Sequence, residues 1–384
     1  MKKNAVGCIM ERKSEYLVVG AGVVGLAIAT SLADRGRSVV LVDQSEYGRG
    51  ASGTNLGQIS MSDREQGLEQ TLVFETLDQY EKASPFYQLE FRQSGGICAF
   101  EKIEDERIAR EIVEKKKKQG YRLELVTNER LGEIEPNLEK IRGGVYSPEE
   151  GQINPLRVNC WLYDRAVRAG VCYHPHTRVT GFVRHEGHLK GVATEQGDLL
   201  ADQVILATGS WTRELMRTLE LDYPVDYIRG SAVVTEPCPP VLHGIIEDGG
   251  YFTGNVPDGS AIYFGGVQEE NGSVLIAQAN RMVEDYDTGI HGGDLAAMVK
   301  LFLDHVPVLR DVQILRAWSG VTTLTEDEKP FWGHSGVYPN LFLAVGFKGA
   351  FSVAPAVGER TARWLCDGIA EEDYRAWSPV RING

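Results

Sequence analysis

The sequence predicts an α/β fold with a second, strand-rich domain, on three observations. A β-branched strand near the N-terminus runs into a glycine-rich turn and a helix. Two further strands that end in small-residue turns recur far downstream, near residues 206 and 345. Between them, strand-like runs alternate with turn residues. The 384 residues give two domains on a prior of roughly 150 residues each. A hydrophobic fraction of 42% and a charged fraction of 24% are ordinary for a globular chain and exclude disorder, collagen and coiled coil. The formal charge of −14 argues against nucleic acid or an anionic membrane as partner, because both need a basic face. The 43 glycines are in excess, about 11% against a usual ~7%.

The first element explains part of that excess. Tyr16-Leu-Val-Val leads into Gly20-Ala-Gly22-Val-Val-Gly25, then a helical pattern from Leu26 to Arg35 stopped by Gly36. A second strand, Ser38-Val-Val-Leu-Val, ends at Asp43. Strand, GxGxxG turn, helix, strand and acid in this order form a dinucleotide fingerprint. Gly20 permits the tight turn, Gly22 lets a diphosphate approach backbone, and Gly25 lets the helix sit against the strand. The helix start offers unpaired N–H groups and a positive dipole to phosphate. Asp43 is placed to accept hydrogen bonds from ribose hydroxyls.

The N-terminal residues 1–14 read as a flexible tail, with an apolar patch too short for a signal peptide, and no stretch approaches the ~18 apolar residues of a membrane span. The protein is expected to be cytoplasmic, with no transmembrane segment. Six scattered cysteines without a CxxC pair argue against a disulfide framework, zinc or iron–sulfur within this chain.

Past Asp43 the chain does not continue as alternating strands and helices. It enters the small-residue loop Gly48-Arg-Gly50-Ala51-Ser52-Gly53-Thr-Asn55-Leu-Gly57-Gln58-Ile-Ser60, suited to close contact with an extended cofactor. Later, Asp202 to Leu206 reads as a buried strand ending in Ala207-Thr208-Gly209-Ser-Trp211. Leu341 to Val345 is another strand, followed by Gly346-Phe347-Lys348-Gly349 and a helix opened by Pro355.

With these segments, from Tyr16 to Gly368, the chain resembles the FAD-dependent D-amino-acid oxidase family, which includes glycine oxidase, sarcosine oxidases and D-amino-acid dehydrogenases. Thr54 to Ser60 is similar to the D-amino-acid dehydrogenase loop. Arg316-Ala-Trp318-Ser-Gly320 through Pro330, with the Gly346 turn, resembles the flavin subunits of opine oxidase, hydroxyproline dehydrogenase and hydrogen cyanide synthase. The resemblance implies a glycine oxidase-like architecture: an interrupted Rossmann-like FAD-binding domain and a mostly antiparallel sheet that carries the substrate side. The FAD domain is expected over 15–66, 144–223 and 316–384, and the substrate domain over 67–143 and 224–315. FAD contacts are implied at Gly20, Gly22, Val23, Val24, Gly25, Asp43 and Gln44, and at Ala51, Ser52, Asn55, Gly57 and Gln58. Further contacts are implied at Val179, Ala207, Thr208, Gly209 and Trp211, and at Gly346, Phe347, Lys348 and Gly349. A helix N-terminus at the last turn suits the negative charge that reduction builds on the flavin pyrimidine.

Residues 67–143 read as helical and charge-rich, with an amphipathic helix from Arg107 to Gly120 whose Lys115–Lys118 run is expected to be solvated. From Pro224 to Leu315, runs such as Ser231-Ala-Val-Val-Thr, Ala261-Ile-Tyr-Phe and Ser273-Val-Leu-Ile-Ala suit a sheet, with Asn271-Gly272 as a hairpin signal. Asp294 to His305 reads as a helix ending before Pro307.

The candidate catalytic residues are Lys348 and Gln58. A cation at Lys348 suits a substrate carboxylate or the reduced flavin's charge, although a solvent-facing lysine or one near a partner's cofactor fits the sequence equally. Tyr251 and Tyr263 suit the substrate side or plain core packing. His174 and His176 lack further ligands, so no metal site is expected. Many members carry an arginine after the Trp-Ser-Gly element to pair with the substrate carboxylate, where this chain has Val321-Thr322-Thr323. The usual Gly-His-Gly turn becomes Lys348-Gly349-Ala350. No cysteine lies near the flavin-facing loops, so FAD is expected to be non-covalent.

The implied reaction is oxidation of the CH–NH bond of an amino acid or N-substituted amino acid (D-amino acid, hydroxyproline, sarcosine or opine) by hydride transfer to flavin N5. Oxygen, a quinone, or partner subunits carrying FMN or iron–sulfur centres would take the electrons. The rivals are a CH–OH-oxidising flavoenzyme of the 2-hydroxyacid type and an FAD-bearing scaffold subunit of a heteromeric dehydrogenase.

Overall fold

The computed structural model describes residues 13–253, 260–370 and 372–383; the side chain of Tyr251 lies outside those described. The chain divides into two compact units. The first holds the residues up to Gly53, Pro155–Asp226 and those from Thr323 onward; the second holds Thr54–Asn154 and Tyr227–Thr322.

In the first unit a sheet runs in the spatial order Phe331–His334, Leu341–Val345, Leu199–Leu206, Lys13–Val19, Val39–Val42, Cys172–His174. The central strands pair in parallel, with Val19 opposite Leu206 and Val42, and Leu206 opposite Leu343. Every residue of Val39–Val42 is buried, as expected where helices cover both faces of a parallel sheet. The hairpin Val179–His185/His188–Thr194 adds to it antiparallel. The Val23–Asp34 and Ala354–Asp367 helices cross closely. A Cβ on Gly358 would lie 2.5 Å from the Ala27 backbone, so glycine sets that approach. Leu17, Val19, Val204, Leu206, Leu341 and Leu343 form part of the core.

The second unit is built on an eight-stranded sheet, in the order Ile314–Leu324, Asp226–Thr235, Val274–Val283, Ser260–Gln268, Ile245–Asp248, Gly96–Phe100, Gly143–Ser147, Glu124–Thr127. Pairings are antiparallel at Asp226–Thr235/Val274–Val283, Ser260–Gln268/Val274–Val283 and Gly96–Phe100/Gly143–Ser147, and parallel at Gly96–Phe100/Ile245–Asp248. The Gly292–His305 helix buries Met298 and Phe302 among Val233, Phe264 and Ile276. The Asn271–Gly272 turn joins two of the strands, with Gly272 at φ 90° and Asn271 Oδ1 accepting from Ser273 N at 2.8 Å.

Several expectations are corrected. Residues 67–143 are not helical throughout, because Gly96–Phe100 and Glu124–Thr127 are strands. The first is an apolar run buried at every residue, which reads as a core strand and not as a helix face. Residues 54–66 and 144–154 group with the second unit. Gln58–Ile59 pairs with Gly151–Gln152, and Gly143–Ser147 pairs with both Gly96–Phe100 and Glu124–Thr127. The first strand starts at Lys13, inside the expected tail, with Lys13 opposite Leu200 and Ser14 opposite Ala201; residues 1–12 lie outside those described. Lys116 leaves the solvated face of its helix to donate to Ser62 O at 2.5 Å and Arg64 O at 2.8 Å. Cys98, Cys160, Cys238 and Cys366 are free thiols.

Candidate dinucleotide site

Four neighbouring parallel strands of the first unit end at the same edge of the sheet. Val19 leads to Gly20, Val42 to Asp43, Leu206 to Ala207 and Val345 to Gly346. Ligands of open α/β sheets bind outside this carboxyl edge.

The glycines of the first turn have separable jobs. Gly20 sits at φ 102°, and a Cβ there would be 2.4 Å from Ala207 O. A Cβ on Gly25 would be 1.8 Å from Gly20 O, so the helix passes too close to the turn for any side chain. Gly22 differs. Its Cβ would meet only Ser52 Oγ, at 3.1 Å, among the described residues. That contact is tight but falls on one side-chain hydroxyl, not on backbone as at Gly20 and Gly25, and glycine there also leaves its backbone open to close approach by a ligand. The Val23–Asp34 helix opens at Gly22 without a side-chain cap on that residue, and Val23 N donates to Ser52 Oγ at 3.0 Å.

Asp43 follows the second strand. Its Oδ2 accepts from Ala21 N at 2.7 Å, and its Oδ1 accepts from Ser45 N at 2.8 Å and Ser45 Oγ at 3.0 Å. Burial pushes the carboxyl above its usual range, and these hydrogen bonds oppose the shift. Asp43 thus also braces the glycine turn. Gln44 beside it is exposed, and Val24 is half-buried.

The 48–53 loop folds against this turn. Gly48 N donates to Ala21 O at 2.8 Å, Gly53 N to Gly50 O at 3.0 Å, and Asn159 Nδ2 to Ser52 O at 3.2 Å. A Cβ on Gly50 would be 3.1 Å from the Trp211 ring, which places the Ala207–Trp211 segment beside the loop. Gly209 sits at φ 50°, and Thr208 Oγ1 lies 2.8 Å from Thr212 Oγ1. Ala51 is half-buried, and Val179 opens its strand against the core.

In the C-terminal turn Gly346 and Gly349 take left-handed φ values of 80° and 57°, ahead of the Ala354–Asp367 helix with Pro355 in its first turn. Phe347 meets the buried Trp332 edge-on at 6.1 Å. Lys348 Nζ lies 2.9 Å from Glu328 Oε2, so its ammonium is ion-paired.

The remaining predicted residues belong to the second unit. Asn55 Oδ1 accepts from Gly57 N at 2.7 Å, and Gly57 sits at φ 79°. Gln58 is opposite Gln152, whose Nε2 donates to Leu56 O at 2.7 Å and Glu269 Oε1 at 2.9 Å. Trp318 Nε1 donates to Thr54 O at 3.0 Å. Val321 is buried and Thr322 exposed, and Tyr263 is buried in its strand. Elsewhere, His174 is buried 3.5 Å from Cys172 Sγ, whereas His176 is exposed beside Glu46. No cluster of three or more His, Cys, Asp or Glu suited to a metal occurs among the described residues.

Asn159, Ser45 and Glu328 escaped the sequence reading. Asn159 alone had a signal, as a polar residue on the otherwise apolar buried face of the Pro155–Ala169 helix, beside Val158, Trp161, Leu162 and Ala166.

A glycine whose Cβ would meet no backbone, a helix start that this glycine does not itself cap and a carboxylate at one sheet edge fit a dinucleotide diphosphate and its ribose. Known proteins agree. The chain is 26% identical to rat (Rattus norvegicus) mitochondrial dimethylglycine dehydrogenase, covering 96% of this chain and 45% of that protein, so it spans about half the relative's length. It is 25% identical to glycine oxidase of Geobacillus kaustophilus (strain HTA426), covering 91% and 92%. The crystal structure of L-proline dehydrogenase from P. horikoshii superposes with a TM-score of 0.87 at 24% identity, covering 97% of this chain and 98% of that one. The profile described as FAD dependent oxidoreductase (DAO) matches residues 15–364, and the chain belongs to that FAD-dependent family.

Proposed function

We propose that this chain oxidises the carbon–nitrogen bond of an amino acid or N-substituted amino acid with non-covalently bound FAD. The convergence of Gly20, Asp43, Ala207 and Gly346 at one sheet edge carries the reading, because it offers a cofactor of FAD's length several contact segments. The substrate class is supported by relatives named for dimethylglycine and glycine. We assign FAD binding to the first unit and substrate contact to the second.

Bound FAD supplies the acceptor for hydride from the substrate Cα–H. The chain's own residues supply binding and orientation. The N-terminus of the Val23–Asp34 helix and the Gly22 backbone would receive the diphosphate, and Asp43 would take the ribose hydroxyls. The turn from Gly346 to Gly349 would lie at the pyrimidine edge, where backbone N–H groups would meet the negative charge that reduction builds. Lys348, paired with Glu328, would add a cation to that turn. A substrate that binds as the neutral amine needs no dedicated base, so positioning supplies most of the catalysis. Partner subunits carrying FMN or iron–sulfur centres fit as electron acceptors.

The deciding experiment is anaerobic mixing of the FAD-loaded protein with D- and L-amino acids, sarcosine, hydroxyproline and opines. Bleaching of the flavin band near ~450 nm, with ammonia or an amine among the products, is expected. Bleaching by 2-hydroxyacids alone would make it a CH–OH oxidase. No bleaching by any substrate that its purified complex oxidises would make the chain a scaffold.

A further inference from the structure

Asn159 lies on the Pro155–Ala169 helix, 2% exposed, and is not part of any glycine turn. Its Nδ2 donates to Ser52 O at 3.2 Å, and its Oδ1 has no hydrogen-bond partner among the described residues. It also fixes the start of the 48–53 loop by contact: a Cβ on Gly48 would lie 2.9 Å from Asn159 Cγ. On the far side of Ser52, the hydroxyl accepts from Val23 N at 3.0 Å. Ser52 is therefore held from both sides, its hydroxyl by a donor at the start of the Val23–Asp34 helix and its carbonyl by a donor from the Pro155–Ala169 helix. That second helix is anchored independently, because Thr30 Oγ1 in the first helix donates to Leu162 O at 3.2 Å.

We propose that Asn159 is a positioning residue for the cofactor diphosphate. Acting through Ser52, it presses the 48–53 loop onto the start of the Val23–Asp34 helix and sets the width of the cradle at Gly22. This rests on the reading of that turn as the FAD site. The physical reason is geometric. A buried carboxamide with its donor engaged and its acceptor orphaned is costly unless the donor bond fixes something that matters. An apolar residue of the same volume would pack there without that cost. Gly48, Gly50 and Gly53 give the loop a conformational freedom that contacts such as this one must offset.

Titration of the apoprotein with FAD, and separately with ADP, tests this. Asn159→Leu keeps the γ-branched shape and the heavy-atom count and removes the donor. It is expected to weaken both ligands about tenfold, the loss of roughly one hydrogen bond's worth of positioning, while the apoprotein melts near the wild-type temperature. Ser52→Ala is expected to weaken both ligands as well, and the double variant to bind no worse than the weaker single one, because the two act in series. Wild-type affinity in Asn159→Leu, or additive losses in the double variant, overturns the proposal. If Asn159→Leu fails to fold, Asn159→Ser, which shortens the donor, is judged by the same outcomes. Gly22→Leu separates the two levels. FAD binding that survives it overturns the site reading itself, whereas FAD loss in Gly22→Leu with normal binding in Asn159→Leu overturns only the role of Asn159.

Discussion

Arg381 clasps Asp327 with two parallel hydrogen bonds, Nε to Oδ2 at 2.8 Å and Nη2 to Oδ1 at 3.0 Å. The same guanidinium donates to Lys329 O at 2.6 Å, Pro330 O at 3.1 Å and Trp377 O at 3.0 Å, and lies 4.4 Å over the Phe331 ring. The end of the chain is thereby tied to the 325–330 loop, which also carries Glu328, the partner of Lys348.

Removing either partner of this clasp is expected to lower stability in a pH-dependent way. Hydrogen bonding to Arg381 holds the Asp327 carboxyl down to about 2. A carboxylate whose folded pKa is depressed stabilises the fold above its unfolded value of ~3.9, and the contribution fades as pH falls toward about 2. Asp327→Asn should melt below the wild type at pH 7, with the gap closing between about pH 4 and pH 2. Arg381→Ala should cost more, about 1–3 kcal/mol, because it also strips donors from four backbone carbonyls, those of Lys329, Pro330, Trp377 and Ser378. Urea melts across the pH range measure both. A pH-independent gap for Asp327→Asn would remove the ion pair from the account.

Gly25→Ala is expected to abolish FAD retention, because its Cβ would fall 1.8 Å from Gly20 O and neither backbone can yield without opening the turn. Gly36→Ala is the control. Gly36 also has a positive φ, 73°, but nothing lies within 4 Å of its Cβ, so only backbone strain of roughly 1 kcal/mol is added. It should fold with FAD bound and melt a few degrees lower. Flavin absorbance after desalting, with thermal melts, distinguishes the two.

The contrast between these glycines marks what could be read from the chain. The Gly20–Gly25 turn, Asp43 and the strand ends at Ala207 and Gly346 were legible because each is a local pattern, a run of apolar residues meeting small ones. Asn159, Arg381 and Glu150 were not. Glu150 is buried and takes Met61 N and Ser62 N, 88 or more residues earlier, and no spacing in the chain announces such a pair. Gln58 belongs with Gln152 through a two-residue pairing too short to leave a periodic signal. Gly96–Phe100 was hidden differently, since a strand buried on both faces has no alternation to distinguish it from a helix segment.

Asp43→Asn is expected to weaken FAD binding about ten- to a hundredfold, on the scale of one to two charge-assisted hydrogen bonds. Its two oxygens face backbone and hydroxyl donors at Ala21 and Ser45, so a carboxamide NH2 would confront one of those donors whichever way it turned. The turn should loosen even before the cofactor is added. Hydrogen exchange at Ala21 and Gly22 in the apoprotein reads that loosening, and FAD titration reads the affinity. Unchanged exchange with weakened FAD would limit Asp43 to the ribose.

Lys348 offers the sharpest separation of stability from function. Its pair with Glu328 is largely exposed, with side chains 37% and 57% accessible. Such pairs contribute ~0–1 kcal/mol, so Lys348→Met should melt almost as the wild type does. If the ammonium stands beside the substrate's carboxylate or the flavin pyrimidine, kcat/KM for the amino acid that bleaches the flavin should nevertheless fall by about tenfold or more. Lys348→Arg should recover part of the loss by keeping the charge. Glu328→Gln should move the other way, because it removes one negative charge beside the ammonium and so favours an anionic ligand. Steady-state kinetics at constant ionic strength, with the reduction potential of the bound flavin, separate the two sites of action. A rise in KM alone places the charge on the substrate. A drop in potential with KM unchanged places it on the flavin, and wild-type values for both in Lys348→Met would leave the lysine a surface residue.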